Sequence, residues 1–248
     1  MELLKAEHIT KSYGERTIIR DISIHLEEGE LVSLLGLSGS GKTTLFQVLS
    51  GLTSPDSGRV LLSGDNITAK PGRISYMLQK DLLLPHKKII DNVSLPLLLK
   101  GKKKAEARQE AQRYFAEFGL QGTESQYPAQ LSVGMRQRAA LLRTYLNSQG
   151  VALLDEPFSA LDMITKRHIH GWYQDVMAKI RLSTLFITHD VDEAILLSDR
   201  VYLMTGAPGE IRHELEIRPP RKDRMDFTLT EAFLAYKRQI LSILEGAG

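Results

Sequence analysis

The sequence predicts an α/β fold with a mostly parallel sheet, an N-terminal antiparallel β region and an inserted helical lobe. Three observations carry this expectation. Residues 4–9 and 18–26 alternate apolar and polar side chains, the two-residue period of paired strands. Compact apolar runs at 30–35, 151–154, 183–187 and 201–204 alternate with helical patterns at 45–49, 164–180 and 192–197. That rhythm belongs to a parallel sheet with both faces covered. Between about residues 80 and 147 it gives way to segments rich in helix-forming residues.

Taken in order, the run 30–35 leads straight into glycine, and the helical pattern 45–49 stops at Gly51, a residue suited to a helix end. Short strands are expected at 60–62 and 74–77. The Ala-, Glu-, Gln-, Lys- and Arg-rich segment 103–118 predicts an amphipathic helix, and 133–147 predicts another that opens after Ser132. A proline- and charge-rich joint at 217–226 precedes a terminal amphipathic helix over 229–244. The expected division is an α/β core (1–79 and 148–204), a helical lobe (80–147) and a C-terminal extension (205–248).

Bulk composition narrows the function classes. The chain has 248 residues, 42% hydrophobic and 25% charged, which is enough to bury a sizeable core. Its net charge of +2 announces neither a nucleic-acid binder nor a binder of anionic membranes. With no cysteine, disulfide frameworks and thiolate chemistry are excluded. The N-terminus lacks the pattern of a secretory leader, and apolar runs such as 82–84 and 95–99 are far too short for a membrane span. A soluble, cytosolic protein is expected, one that would meet a membrane only from its side.

The segment Gly36-Leu37-Ser38-Gly39-Ser40-Gly41-Lys42-Thr43 fits G-x-x-x-x-G-K-[ST], between an expected strand and an expected helix. Glycines let the backbone fold tightly so that N–H groups point at phosphate oxygens, and the helix N-terminus adds its dipole. Lys42 would supply charge to the β- and γ-phosphates, and the Thr43 hydroxyl could ligate Mg²⁺. Thr44 continues the nucleotide-binding set. The run 151–154 ends in Asp155 and Glu156, and carboxylates at the carboxyl end of a strand lie where open parallel sheets bind ligands. Asp155 would hold Mg²⁺ opposite Thr43, and Glu156 could take a proton from an attacking water.

Leu131-Ser132-Val133-Gly134-Met135-Arg136-Gln137-Arg138 and Asp155-Glu156-Pro157-Phe158-Ser159-Ala160-Leu161-Asp162 together resemble the signature motif, Walker B and D-loop of the ABC-transporter ATPase family. The order of motifs is similar as far as about Met204. The resemblance implies a P-loop ATPase core that binds ATP with Mg²⁺. It implies that Tyr13 stacks on adenine, that Gln79 senses Mg²⁺ and γ-phosphate, and that His189 is the switch histidine contacting the γ-phosphate. Ser132 and Gly134 would close on the γ-phosphate of a neighbouring copy, and Asp162 would cross the same interface. The family signature is usually Leu-Ser-Gly-Gly-Gln, so Val133 and Met135 are departures; a β-branched Val133 implies an ordinary backbone conformation there.

The absence of a fused membrane segment and the wording of residues 155–162 resemble importer subunits. Met135-Arg136-Gln137-Arg138, Pro208-Gly209-Glu210-Ile211 and the 218–224 joint are similar to the nitrate/sulfonate/taurine group, which also includes carriers of pyrimidine precursors of thiamine. The resemblance implies a second copy of the chain, transmembrane permease subunits and an external solute-binding protein as partners, but no nucleic acid. The segment from Asp81 to Leu97 would line the groove for a permease helix. ABC ATPases acting on DNA carry a very long coiled-coil insertion, and those acting on ribosomes carry tandem cassettes; this sequence shows neither. A catalytically silent module would be expected to lose Glu156 or His189, and both are present.

Overall fold

A computed structural model describes residues 2–159, 163–218 and 224–246. Two long strands open the chain, β1 (Glu2–Tyr13) and β2 (Arg16–Glu27), paired antiparallel across a tight turn. They join β4 (Ser57–Leu62) and β5 (Asp65–Asn66) in a four-stranded antiparallel sheet ordered β2-β1-β4-β5. The main sheet is built from β3 (Leu31–Gly36), β6 (Ser75–Met77), β7 (Val151–Asp155), β8 (Ser183–Thr188), β9 (Arg200–Thr205) and β10 (Glu210–Glu216). Its order is β10-β9-β3-β8-β7-β6, parallel except for β10, which runs antiparallel to β9.

The continuous apolar runs follow from burial on both faces. Every residue of β3, β7, β8 and β9 is buried. Because side chains alternate along a strand, Val32, Leu34, Val151, Leu153, Leu185 and Ile187 share one core with Phe46 and the antiparallel sheet. Leu35, Ala152, Leu154 and Phe186 face the other, with Tyr173 and the helical segments. The helix α1 (Lys42–Leu49) lies in the first core; α6 (Met163–Ile180), α7 (Val191–Leu197) and α9 (Glu231–Glu245) serve the second. A short α8 (Arg224–Phe227) precedes α9, and Lys237 of α9 pairs with Asp192 of α7 at 2.7 Å.

Between β6 and β7 lie α2 (Ile89–Val93), α3 (Leu95–Leu99), α4 (Lys104–Gln112) and α5 (Val133–Asn147). The expected helix over 103–118 is shorter than its composition suggests. After Gln112 the backbone tightens, with Tyr114 N–H donating to Ala111 O and Phe115 N–H to Gln112 O, both at 3.1 Å. That three-residue spacing turns the chain where Phe115 and Phe118 enter the core. The apolar stretch 82–99 carries α2 and α3. Fully buried Asn92 braces the approach to α2, accepting from Leu84 N–H at 2.6 Å and donating to Leu84 O and Lys87 O. The expected terminal helix is present as α9, whereas residues 219–223 of the joint lie outside the described residues.

Candidate active site

The loop between β3 and α1 is shaped by what cannot fit beside it. A Cβ on Gly36 would lie 2.3 Å from the Met204 carbonyl oxygen of β9. Gly41 caps α1 at φ 95°, where a Cβ would be strained and would meet Ile19 Cγ2 at 2.6 Å. Inside this frame the buried Lys42 ammonium folds back on its own loop, donating to Gly36 O and Leu37 O, both at 2.8 Å. Burial lowers the Lys42 pKa, against the opposing charges of Glu156 and Asp155. Ser40 Oγ, also buried, has no hydrogen-bond partner among the described residues.

A brace behind the loop was not legible in the sequence. A Cβ on Gly209, in the β9–β10 turn, would sit 1.9 Å from Ser40 O. Its N–H donates to Ile18 O at 2.8 Å and its carbonyl accepts from Arg20 N–H at 3.0 Å, so the turn is fixed against β2 while it presses on the loop. Neither backbone can yield cheaply. Gly209→Ala should therefore cost about 2 kcal/mol of stability through overpacking and displace the loop, weakening nucleotide affinity on the order of tenfold. Urea unfolding and titration with a fluorescent ATP analogue would measure both effects.

Asp155 ends β7 and is buried, accepting from the Tyr76 hydroxyl of β6 at 3.0 Å. Burial raises its pKa and the Glu156 charge adds to the rise, while Tyr76, Lys42 and Thr43 oppose it. The next residue, Glu156, adopts φ 47°, a left-handed conformation uncommon for a side-chain-bearing residue. Its N–H donates to Ile187 O at 3.1 Å, anchoring it to β8. Its carboxylate joins two other strand ends. Gln79, two residues beyond β6, donates from Nε2 to Glu156 Oε2 at 3.0 Å; His189, just beyond β8, places Nδ1 3.1 Å from Glu156 Oε1. Ser159 Oγ donates to Glu156 O at 3.0 Å and accepts from Gln79 Nε2 at 3.3 Å.

These groups surround a cleft of about 680 Å³. Ser38, Gly39, Gly41, Lys42, Thr43 and Thr44 line it from the loop and the start of α1; Gln79, Glu156 and His189 face them. Ile18 and Ile187 complete the lining, and neither carries a motif that would have singled it out. Gly36, Leu37, Ser40 and Asp155 adjoin the cleft without lining it. Tyr13, Ser132 and Gly134 do not line it either. Tyr13 is half-exposed at the end of β1, with the Lys11 ammonium 5.5 Å from its ring centroid. Ser132 caps α5, its hydroxyl accepting from Met135 N–H at 3.3 Å; Val133 is the first helical residue, in the ordinary conformation expected, and Gly134 follows. Asp162 lies outside the described residues.

Among the described residues no group of three or more His, Asp or Glu side chains is placed to hold a metal. Oxygen-bearing side chains at the loop include the Thr43 hydroxyl, the buried Asp155 carboxylate and, across the cleft, the Gln79 amide and the Glu156 carboxylate, the last two already hydrogen-bonded to each other. That set fits Mg²⁺, which keeps most of its shell for water and substrate phosphates, better than it fits an ion needing an all-protein cage.

A model of the ABC transporter family matches residues 19–159, more than half of the chain. The chain belongs to the ABC transporter family. The match spans the phosphate loop, Gln79, Ser132, Gly134, Asp155 and Glu156, while Tyr13 and His189 fall outside it. This ABC chain is 44% identical over 228 residues to the formylaminopyrimidine import ATP-binding protein of Halalkalibacterium halodurans, spanning 92% of this chain and 89% of the relative. It is 36% identical over 239 residues to the nitrate import ATP-binding protein of Synechocystis, spanning 94% and 90%. Among solved structures, an ATP-binding cassette in a dimeric post-hydrolysis state with ADP and Pi superposes with a TM-score of 0.74 at 27% identity, covering 88% of this chain and all of that one. Among the described residues no helix is long and apolar enough to cross a membrane.

Proposed function

We propose that this chain is the ATP-hydrolysing subunit of an importer, working as a head-to-tail dimer with one ATP in each of two shared sites. One observation carries the reading: Lys42, Gln79, Glu156 and His189, brought by four different strands, converge on a single cleft at the carboxyl ends of β3, β6, β7 and β8. Loop N–H groups from Gly36 to Thr44 and the α1 N-terminus bind the phosphates, and Lys42 moves from its loop carbonyls toward the β- and γ-phosphate oxygens. Thr43, Asp155 and Gln79 would hold Mg²⁺, which when bound would neutralise phosphate charge. Tyr13 stacks on the adenine.

Glu156 accepts a proton from the attacking water through a lone pair not committed to Gln79 or His189. As the water oxygen bonds to the γ-phosphorus, the bond to the bridging oxygen breaks and ADP leaves with the electron pair. His189 contacts the γ-phosphate and donates to its developing charge. Ser132 and Gly134, absent from the cleft of one copy, complete the partner's site by donating to its γ-phosphate, and Asp162 crosses the same interface. ATP favours the closed dimer because its phosphates touch both copies; hydrolysis removes that difference and the dimer reopens.

Opening and closing would move permease subunits through the groove lined by the 80–147 lobe near Gln79, leaving the chain peripheral at the cytoplasmic face of the membrane. An external binding protein would deliver the solute. The relatives support a small solute of the nitrate/sulfonate/taurine or thiamine-pyrimidine-precursor type. In cells lacking the chain, re-expression should restore uptake of one of labelled nitrate, an alkanesulfonate, taurine or formylaminopyrimidine, and Glu156→Gln should not. Equal uptake with the variant, or no dependence on the chain for any of the four, would contradict the reading.

A further inference from the structure

His189 is 59% exposed at its side chain, so little packing holds its imidazole. Its neighbours are another matter. Thr188, on its N-terminal side, is buried at the end of β8; its hydroxyl donates to Glu193 Oε2 at 2.7 Å and accepts from Asp190 N–H at 3.0 Å. Asp190, on the other side, caps α7, its Oδ1 accepting from Asp192 N–H at 3.0 Å and Glu193 N–H at 3.2 Å. Both flanks converge on one cation. The Lys166 ammonium of α6 lies 2.7 Å from Glu193 Oε1 and 3.2 Å from Asp190 Oδ2. Glu193 is only 5% exposed at its side chain, and His170 Nε2 is 3.6 Å from it.

We infer that Lys166 and Glu193 are positioning residues for His189, clamping the residues on either side of it to α6. The inference rests on the hydrolytic reading of the cleft. A buried carboxylate is costly without a partner, and a pair broken on one side leaves the other charge stranded. Burial alone would raise the Glu193 pKa, yet His170, Lys166 and Thr188 outweigh it and bring it down to about 2, so the group is ionised and the clamp closed at neutral pH. Thr188 is fixed through the Glu193 carboxylate and Asp190 through the Lys166 ammonium that this carboxylate holds, so loosening the pair displaces the backbone at residue 189. The imidazole then loses its place beside Glu156 Oε1 without any loss from the phosphate loop, which lies on the other side of the cleft. Neither Lys166 nor Glu193 lines the cleft. They act only through His189.

The test pairs kinetics with a direct view of the imidazole. Lys166→Met should lower kcat on the order of tenfold with KM for ATP within about twofold, and should shift the His189 imidazole resonance while that of His86 stays in place. Lys166→Arg should restore both. Should Lys166→Met fold poorly, the near-isosteric Thr188→Val, which loses the hydroxyl, should behave like it, and Thr188→Ser, which keeps the hydroxyl, like the wild type. A purely stabilising ion pair would instead lower the melting temperature with kcat and the His189 resonance unmoved, and that result overturns the inference. Failure of both conservative variants to restore the resonance would do the same. A wild type with no ATP turnover would overturn the hydrolytic reading, and the imidazole resonance would then decide the positioning claim alone.

Discussion

Lys42→Met should weaken ATP binding by about a hundredfold, equivalent to losing roughly 3 kcal/mol of charge-assisted contact with the phosphates. The magnitude follows from the site. The ammonium is buried at the base of the loop and already released from water, held by the Gly36 and Leu37 carbonyls. It can exchange two neutral acceptors for phosphate oxygens without a fresh desolvation cost. Methionine keeps the length of the side chain but leaves both carbonyls without this donor, so some stability is lost as well. Titration with a fluorescent ATP analogue, alongside urea unfolding, separates the two effects. Affinity within threefold of wild type in a folded variant would mean that the loop does not bind phosphate through Lys42.

Glu156→Gln should lower turnover by at least two orders of magnitude, the usual scale for a lost general base, and leave ATP affinity within a few-fold. The substitution preserves shape, and the amide oxygen can still accept from Gln79 Nε2. What disappears is the charge, the capacity to take a proton and the second oxygen beside His189 Nδ1. Steady-state phosphate release and nucleotide titration on the same preparation give both numbers. Unchanged turnover would remove Glu156 from the chemistry.

Much of the fold was legible because the strands that form it are buried on both faces and so read as compact apolar runs: 30–35, 151–154 and 183–187 in the sequence are β3, β7 and β8 in the structure, within a residue at each end. The antiparallel region at the N-terminus was legible from its alternation for the complementary reason, one buried and one wetter face. The strand β10 was missed because Glu210–Glu216 is an edge strand with no buried residue and a charge at every second position. The helices α2 and α3 are five residues each, too short to show a helical period. The overlong expectation for 103–118 came from helix-forming composition, which says nothing of the turn that lets Phe115 and Phe118 reach the core.

The site divides along the same line. Residues that the motifs single out come together in space: Ser38, Gly39 and Gly41 to Thr44 line one cleft with Glu156, Gln79 and His189. Contributions that depend on tertiary contact were not legible. Gly209 meets Ser40 across most of the chain, Tyr76 holds Asp155 from a neighbouring strand, and Ser159 links Gln79 to Glu156. Gly209 and Ser159 stand inside motifs, and Tyr76 in an apolar run, but nothing in those local patterns tells which distant residue each one touches. Ser132 and Gly134 form the opposite case: their motif was legible, yet their place in one copy is a helix cap away from the cleft lining.

That separation means that a second copy must complete the site, and molecular size reports on it. Glu156→Gln, which should hold ATP without hydrolysing it, is passed through size-exclusion chromatography with light scattering, with and without ATP and Mg²⁺. A shared site should give a monomer without nucleotide, a dimer with ATP, and return to monomer when Ser132→Arg is added to block the surface that the second copy would use. A Glu156→Gln protein that binds ATP yet stays monomeric, or dimerises equally well with ATP and without it, would contradict a site completed by a second copy.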